Sequence, residues 1–221
     1  MRGRNTVFAD RRAAGRALAA QVSQSWNRMP AGQTPPLVIG LARGGVPVAR
    51  EVADALHAPL DVLVVRKLGA PGQPEFAMGA LAAGQIVIND DTPRRLGVTQ
   101  PQLDAIIDAE DRMRIERERR YRSGDERVEM RGRTVMLVDD GLATGATMAV
   151  AVRAALAARA SSVIVAVPTG PSDTVARFTD DPQVTAVVCV ETPKPFRAVG
   201  LSYGDFTQVD DGEVIRCLHR P

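Results

Sequence analysis

Short runs of consecutive apolar residues alternate along the chain with longer segments in which apolar residues recur at helical spacing. The runs have the length of strands, and their lack of polar alternation is typical of strands covered on both faces. They predict strands at residues 36–41, 59–67, 85–89, 133–139, 161–168 and 183–190. The periodic segments predict helices at residues 10–26, 44–58, 99–122, 146–160, 172–180 and 210–220.

This alternation predicts the fold class α/β, with a mostly parallel twisted sheet and helices on both of its faces. We expect one domain over residues 1–221, because no repeat or low-complexity tract divides the sequence. The Gly- and Pro-rich segment 68–85 is predicted to be a flexible lid loop. The helix at 10–26 and the charged helix at 99–122 are predicted to be peripheral, and residues 192–206 to form a small C-terminal hood.

Composition and charge exclude several classes of protein. Hydrophobic residues make up 45% and charged residues 24% of the chain, which is typical of a globular protein. The formal net charge of +2 is too small to indicate a nucleic-acid partner by itself. No apolar run has the length of a membrane span, and the basic N-terminus lacks the apolar segment of a secretory signal. We therefore expect a cytoplasmic protein, with Cys189 and Cys217 as free thiols.

The charged helix at 99–122 carries many arginines but does not require a nucleic-acid partner. Acids precede arginines at the i,i+4 spacing that stabilises solvated helices. The pairs predicted on this basis are Asp108–Arg112, Glu110–Arg114, Glu116–Arg120 and Glu118–Arg122. A dimer arm is the second interpretation of this helix.

The apolar run at residues 135–138 leads into two adjacent acids and then into a loop of small residues, in the sequence VMLVDDGLATGAT. Small side chains after Asp139 and Asp140 allow a ligand to approach the backbone closely. The backbone N–H groups, the hydroxyls of Thr144 and Thr147 and the start of the next helix can all donate to an anion. A phosphorylated sugar would use both features. A strand-to-helix turn in another α/β protein is the alternative.

This motif resembles the signature of the type I phosphoribosyltransferases, and the resemblance extends over about residues 36–190. It implies that the chain binds 5-phosphoribosyl-1-pyrophosphate, with Asp139 and Asp140 on the ribose hydroxyls, directly or through Mg²⁺. The loop that would hold the 5-phosphate consists of Ala143, Thr144, Gly145, Ala146 and Thr147. Gly141 departs from the family pattern, which usually has a larger apolar residue at this position.

The segment GLARGG follows the first predicted sheet strand, where the family binds pyrophosphate in a loop. The resemblance implies that the amides of Arg43, Gly44 and Gly45 face the pyrophosphate and that the Arg43 guanidinium makes forked contacts. Family members often have a non-proline cis peptide in this loop, which would join Ala42 to Arg43. Taken alone, the glycine pair would indicate only a strand–turn–helix connection.

Arg66 and Lys67 end the next predicted strand and resemble the basic pair that orotate-type members place at the base of their flexible loop. Segment 68–85 would then be a lid over the substrate. It has no lysine or histidine, unlike the lid of orotate-type members, which argues against orotate as the acceptor. Glu75 in this lid is a candidate proton acceptor. Ordinary solvated charge is the alternative for all three side chains.

The acceptor is less well defined by the sequence. The 6-oxopurine members have an aspartate just before T-G, whereas this chain has Ala143, which leaves adenine or another amine open. Residues 192–206 loosely resemble the purine-binding end of the 6-oxopurine enzymes. Phe196 is a candidate to stack on a base, Asp205 to accept from a ring amino group, and Tyr203 to pack beneath. Aromatic core packing is the alternative.

The resemblance implies an enzyme that transfers a 5-phosphoribosyl group to a nitrogen of a base or amine and releases pyrophosphate, with Mg²⁺ as cofactor. The wider pattern LARGGVPVAREVA…LDVLVVRKLGAPGQPE…VDDGLATGAT is similar to a group of predicted bacterial phosphoribosyltransferases whose acceptor is not established. The expected partners are phosphoribosyl pyrophosphate, a small nitrogenous acceptor and a second copy of the chain, with no nucleic acid or membrane. A catalytically silent sensor of the same ligand is the alternative.

Overall fold

A five-stranded parallel sheet forms the centre of the protein. The structure is a computed structural model that describes residues 7–26, 34–88, 91–122 and 128–219, apart from the side chains of residues 73–76. The strands of the parallel sheet are β1 (Leu37–Ala42), β2 (Leu60–Val64), β6 (Thr134–Val138), β7 (Ser162–Thr169) and β8 (Ala186–Glu191). Their order across the sheet is β2-β1-β6-β7-β8. The predicted fold class is thereby confirmed.

Helices cover both faces of this sheet, as predicted. They are α1 (Arg11–Trp26), α2 (Gly45–Leu56), α4 (Gln100–Arg122), α5 (Ala146–Ala157), α6 (Ser172–Thr179) and α7 (Asp211–Leu218), whereas the short α3 (Thr92–Arg95) buries no residue. In the part of the chain that the structure describes, no helix combines the length and the apolar character needed to cross a bilayer.

Alternate residues of the central strands enter two different cores. Leu37 and Ile39 of β1 pack with α5 on one face, whereas Val38 packs with α1 and α2 on the other. The same alternation holds in β6, where Leu137 joins the first core and Met136 the second. Successive strand residues point to opposite faces, so a sheet covered twice requires an unbroken apolar run. This is why the strands were recognisable in the sequence.

The order in which strands are added to the sheet reverses between β1 and β6. Strand β1 pairs in parallel with β2 on one side and with β6 on the other. The connections that leave β1 and β6 therefore run toward opposite edges of the sheet, and a crevice opens between the carboxyl ends of the two strands. Both motifs identified in the sequence lie at this switch point.

Segment 68–85 is not the loop that its composition predicts. Strands β3 (Arg66–Ala70), β4 (Gln73–Ala82) and β5 (Gln85–Ile88) form a second, antiparallel sheet in the order β3-β4-β5. The predicted strand 59–67 accordingly divides between the two sheets. Leu68, Met78 and Ala80 are fully buried, so packing against the rest of the domain stabilises these glycine-rich strands.

The two helices predicted to be peripheral are both anchored. In α1, Leu18 and Val22 are buried against α2 and the parallel sheet. In α4, Tyr121 is fully buried, and the predicted pairs Glu116–Arg120 and Glu118–Arg122 form at 3.6 and 3.3 Å.

The remaining pairs of α4 follow tertiary packing more closely than sequence spacing. Arg114 bonds Asp111 and Glu118, at 2.7 and 3.0 Å. The carboxylate of Glu110 binds Arg66 of β3 at 2.6 Å, so it does not form the predicted pair with Arg114.

A buried aspartate fastens the end of α4 to the parallel sheet, and its loss should destabilise the domain. Asp61 accepts from Arg122 Nε at 3.3 Å and from the Val128 amide at 3.1 Å. We expect Asp61→Ala to lower the free energy of unfolding by about 2–4 kcal/mol, because Arg122 and the amide lose their buried partner. Urea denaturation measures this change.

The matched control is Asp91→Ala, since Asp91 pairs with Arg94 on the surface, where the two side chains are 57% and 86% exposed. That variant should stay within about 0.5 kcal/mol of the wild type. Equal losses in the two variants would contradict an anchoring role for Asp61.

Candidate functional site

A cavity of 1020 Å³ lies at the carboxyl ends of the parallel strands. Its floor is Asp139 and the connection from β6 to α5, and its opposite wall comes from the antiparallel sheet and the C-terminal hood. The lining residues from the β6–α5 connection are Gly141, Leu142, Ala143, Thr144, Gly145, Ala146 and Thr147. The structure therefore brings all five predicted phosphate-loop residues into one cavity together with Asp139.

The predicted phosphate loop presents unused donors. Within the described residues, no acceptor bonds the amides of Ala143, Thr144, Gly145 or Thr147. Gly145 has φ +79°, a conformation that favours glycine, and it immediately precedes α5. The carbonyl of Thr144 accepts a hydrogen bond from Arg177 of α6, which holds the loop from outside. The free amides and the helix start together form a cradle for an anion.

Asp139 faces the cavity, and its surroundings make its charge unfavourable. Its Oδ1 accepts from the Asp140 amide at 2.9 Å. Burial, followed by the negative charge of Asp140, raises the pKa of Asp139 well above the ordinary aspartate value. Arg11 and Lys67 act in the opposite direction. A cation or a hydroxyl donor bound at this carboxylate would stabilise its charged form.

Asp140 points away from the cavity, toward Arg11 at the start of α1. Its Oδ2 accepts from Arg11 Nε at 2.9 Å, and a Cβ built on Gly44 would lie only 2.1 Å from the same oxygen. Its backbone carbonyl accepts from the Tyr203 hydroxyl. Burial raises the pKa of Asp140, and Arg11 opposes this rise. The structure therefore does not bring the Asp140 carboxylate to the cavity, where direct contact with the ribose was predicted.

The loop after β1 packs directly on the loop after β6. A Cβ on Gly45 would lie 2.5 Å from the Val138 carbonyl oxygen, so only glycine fits here. The Ala42–Arg43 peptide is cis, as the resemblance implied. The side chain of Arg43 turns toward Asp211 of α7, at 3.8 Å, and it does not line the cavity. The two glycines pack on the β6 loop and, like Arg43, do not line the cavity, so their contact with pyrophosphate stays a prediction.

The predicted basic pair divides between two sides of β3. Lys67 lines the cavity, whereas Arg66 bonds Glu110 of α4 at 2.6 Å. Adjacent residues of a strand point to opposite faces, and Arg66 accordingly does not line the cavity at Asp139. The backbone of Glu75 lies in β4, but its side chain is outside the described residues.

The C-terminal hood reaches the cavity through Val199, which lies in a 3-10 turn. A Cβ on Gly141 would lie 2.6 Å from Val199 Cγ1, which accounts for the absence of a larger residue at this position. Phe196 and Asp205 do not line the cavity. Asp205 is exposed and accepts from the Thr207 amide at 2.9 Å, and the hydrogen bonds from Thr207 lower its pKa. The structure therefore leaves both predicted acceptor-binding side chains outside this cavity.

Tyr203 packs beneath the site, between Phe8 and Phe206. Arg11 stacks on the Phe206 ring, 3.9 Å from its centroid, and donates to the Thr207 carbonyl at 2.7 Å. The aromatic residues of the hood thus hold Arg11 in place, which corresponds to the core-packing alternative.

Sequence reasoning missed three arginines at the site. Arg11 contacts Asp140 across 129 positions of the chain, and Arg153 and Arg177 line the cavity from α5 and α6. The position of Arg153 and Arg177 on the helices that follow the motif was visible, but arginines on exposed helix faces are too common for that signal to select them.

The described residues that line the cavity offer carboxylate and hydroxyl oxygens, which suit a hard metal ion. Among the residues that the structure describes, no three metal-binding side chains come together. Mg²⁺ is usually bound by one or two carboxylates together with water and phosphate oxygens, so Asp139 beside a phosphate cradle fits it. Asp140 would contribute only if its carboxylate left Arg11.

Comparison with known proteins identifies the family. Residues 8–193 match the phosphoribosyl transferase domain family, and the chain belongs to this family. Two relatives from Mycobacterium tuberculosis strains CDC 1551 and H37Rv, each named "Putative phosphoribosyl transferase", are 47% identical over 218 residues. The match covers 97% of this chain but 47% of each relative. The chain therefore spans about half the length of the curated relatives it matches.

Solved structures support the same assignment of the fold. A protein from Thermus thermophilus is 39% identical, with a TM-score of 0.76 over 96% of this chain and 97% of that one. A hypothetical protein from Neisseria gonorrhoeae, solved with bound ppGpp, is 17% identical, with a TM-score of 0.52 over 96% and 94% of the two chains. At this lower identity the likeness concerns the fold alone.

We expect Asp139→Asn to stabilise the protein at neutral pH, because the substitution removes a charge that burial disfavours. The melting temperature should rise by about 2–6 °C, which corresponds to about 1–2 kcal/mol for a domain of this size. The folded state retains the Asp139 proton at pH values where the unfolded chain has lost it. Wild-type stability therefore falls as the pH rises from the ordinary aspartate pKa to the raised one. The advantage of the variant should disappear at lower pH.

Melting curves between about pH 3.5 and pH 8 test this behaviour. The control is Asp104→Asn, because Asp104 is exposed on α4. An Asp139→Asn variant that is less stable than the wild type at pH 7 would contradict the unfavourable burial of this charge.

Proposed function

We propose that this domain binds 5-phosphoribosyl-1-pyrophosphate and transfers its phosphoribosyl group to a nitrogen of a base or amine, with release of pyrophosphate. The observation that carries the proposal is the single cavity in which a buried carboxylate, Asp139, lies beside the unbonded amides of the 143–147 loop. A sugar phosphate needs both an acceptor for its hydroxyls and donors for its phosphate. Membership of the phosphoribosyl transferase domain family supports the same ligand.

The 5-phosphate would bind at the loop before α5. The amides of Thr144, Gly145 and Thr147 and the hydroxyl of Thr147 supply donors, and the start of α5 contributes its favourable dipole. Arg177 would keep the loop in this shape through its bond to the Thr144 carbonyl. The ribose would then extend toward Asp139, which accepts from its hydroxyls.

The pyrophosphate would lie over the loop after β1. No acceptor among the described residues bonds the amides of Gly44 and Gly45, and Lys67 supplies a positive charge on the cavity side of β3. In the reaction the bond from ribose C1 to a pyrophosphate oxygen breaks, and a bond from C1 to the acceptor nitrogen forms. Fixed donors around the leaving group stabilise the negative charge that develops there. Asp140 supports this loop from beneath, against Gly44 and Arg11.

Asp139 would hold Mg²⁺, whose positive charge would offset part of the charge that develops on the leaving group. Arg43 is available for pyrophosphate only if it exchanges its contact with Asp211, which at 3.8 Å is a long ion pair. The acceptor would enter beside Val199, and Ala143 supplies no proton acceptor where the 6-oxopurine members have an aspartate. A homodimer and the identity of the acceptor remain predictions.

The ligand is tested by calorimetry with phosphoribosyl pyrophosphate and Mg²⁺. We expect saturable binding that weakens about 10- to 100-fold in Asp139→Asn and in Thr147→Val, because each variant removes a hydrogen bond to a charged or strongly polar group. Since Asp139→Asn is expected to be the more stable protein, lost binding in this variant would not reflect unfolding.

The matched controls repeat the same chemical changes outside the cavity. They are Asp205→Asn in the hood and Thr179→Val at the end of α6, where the threonine hydroxyl donates to the Val175 carbonyl. Both should bind as the wild type does. Equal loss in a variant and its control, or no binding by the wild type, would remove the proposed site.

Turnover is tested separately by pyrophosphate release over a panel of nitrogenous bases and amines. Release with one acceptor class, lost in Asp139→Asn, is the expected result. Tight binding without release for any acceptor would favour the catalytically silent sensor.

A further inference from the structure

Three arginines from three different helices surround a second, smaller cavity, which is lined by residues of α1, α2 and α7. The cavity has a volume of 280 Å³ and is lined by Arg12 of α1, Arg50 of α2, and Arg216 and Cys217 of α7. None of these residues lines the cavity at Asp139. The proposed phosphoribosyl transfer does not use them.

Arg50 carries the anomaly that points to a ligand. Its side chain is 14% exposed, and its Nε is the buried side-chain atom that lacks a hydrogen-bond partner among the described residues. The rest of the guanidinium is fixed, because one terminal nitrogen binds Asp54 and the other lies 3.5 Å from the Cys217 carbonyl. A buried N–H without an acceptor is unfavourable, and native structures rarely leave one. Arg50 therefore cannot turn to satisfy Nε without breaking contacts it already has.

The described residues that line this cavity carry three positive charges and no negative charge. In the described part of the chain, neither Arg12 nor Arg216 forms an ion pair, and both are exposed. Of the acids in the neighbourhood, Asp54 is already paired with Arg50, Glu213 lies near Cys217, and Asp210 lies near Arg216. Burial raises the pKa of the Cys217 thiol, whereas Arg12, Arg50 and Arg216 all oppose this rise, as expected of three cations acting at one point.

We propose that Arg12, Arg50 and Arg216 form a binding site for a small phosphate-type oxyanion, separate from the substrate cavity. Guanidinium groups offer several planar N–H donors, and this geometry matches the oxygens of a phosphate group. The two exposed arginines would close over the anion, and Arg50 would exchange its long 3.5 Å contact with the Cys217 carbonyl so that its buried Nε reaches one oxygen. The volume of the cavity is sufficient for an ion of this size.

The proposed anion site lies on two helices that begin at or next to the loop after β1, where the pyrophosphate is proposed to bind. Helix α2 begins at Gly45, and α7 begins at Asp211, which contacts Arg43. An anion bridging Arg50 and Arg216 would connect these two helices one to two turns beyond the loop. The proposal nevertheless concerns binding and does not depend on catalysis.

The test is an NMR titration of the ¹⁵N-labelled full chain with inorganic phosphate at constant ionic strength. The Arg50 Nε–Hε signal, assigned by its absence in Arg50→Lys, reports on this site and not on the phosphate loop at residues 143–147. We expect a saturable shift of this signal with phosphate, and none with chloride. Binding followed at this signal should weaken about tenfold in Arg12→Gln and in Arg216→Gln, since each loses a charged hydrogen bond to the anion.

The control is Arg16→Gln, which makes the same change of charge on α1 at a side chain that is 61% exposed and does not line the cavity. It should bind as the wild type does. If the Arg216→Gln spectrum shows loss of the fold, the phosphate affinities of Arg12→Gln and Arg216→Lys are compared with that of the wild type instead. An unmoved Arg50 signal up to about 50 mM phosphate would overturn the proposal in favour of a water on Nε. Equal affinity in all the variants would show nonspecific attraction and would overturn it as well.

Discussion

The direct packing of two backbone loops, with no side chain between them, is the constraint on which this site depends. A Cβ on Gly45 would lie 2.5 Å from the Val138 carbonyl, and one on Gly44 would lie 2.1 Å from Asp140 Oδ2. Glycine is required at both positions because the loops after β1 and β6 meet at the switch point of the sheet. This contact fixes Asp139 at the base of the cavity. It also desolvates two adjacent carboxylates, which raises the pKa of both.

The sequence was sufficient to predict the architecture wherever local pattern and tertiary environment agree. Strands such as 37–42 and 134–138 are apolar on both faces because both faces are covered. The polar motif begins where the apolar run of β6 ends, at Val138, so its place at a strand end was also predictable. Segment 68–85 shows where this agreement fails. Its glycines and prolines indicate a loop, but pairing of β3 with β4 and the burial of Met78 are tertiary effects. No local pattern in the sequence records them.

Among the candidate site residues, those defined by backbone were easier to predict than those with long side chains. Residues 143–147 line the cavity as predicted, because their position depends only on where the chain runs. Arg43 and Arg66 instead turn to Asp211 and Glu110, acids that lie far away in the sequence. The direction of an arginine is set by the charge it meets, and that charge is supplied by another element of the fold. Arg11 was missed for the same reason.

The two adjacent acids have different partners, and this difference indicates which kind of ligand would suit the cavity. Arg11 offsets the charge of Asp140, and Arg11 is itself held by Phe206 and the Thr207 carbonyl. Bonds between the backbone of residues 7–9 and that of 202–205 hold these two segments together at this point, so distant segments of the chain neutralise Asp140. Asp139 has no comparable bonded cation in the described structure, and Lys67 acts on it only through its charge. An unbalanced carboxylate beside unbonded amides is complementary to a ligand that carries hydroxyls or a cation at one end and a phosphate at the other.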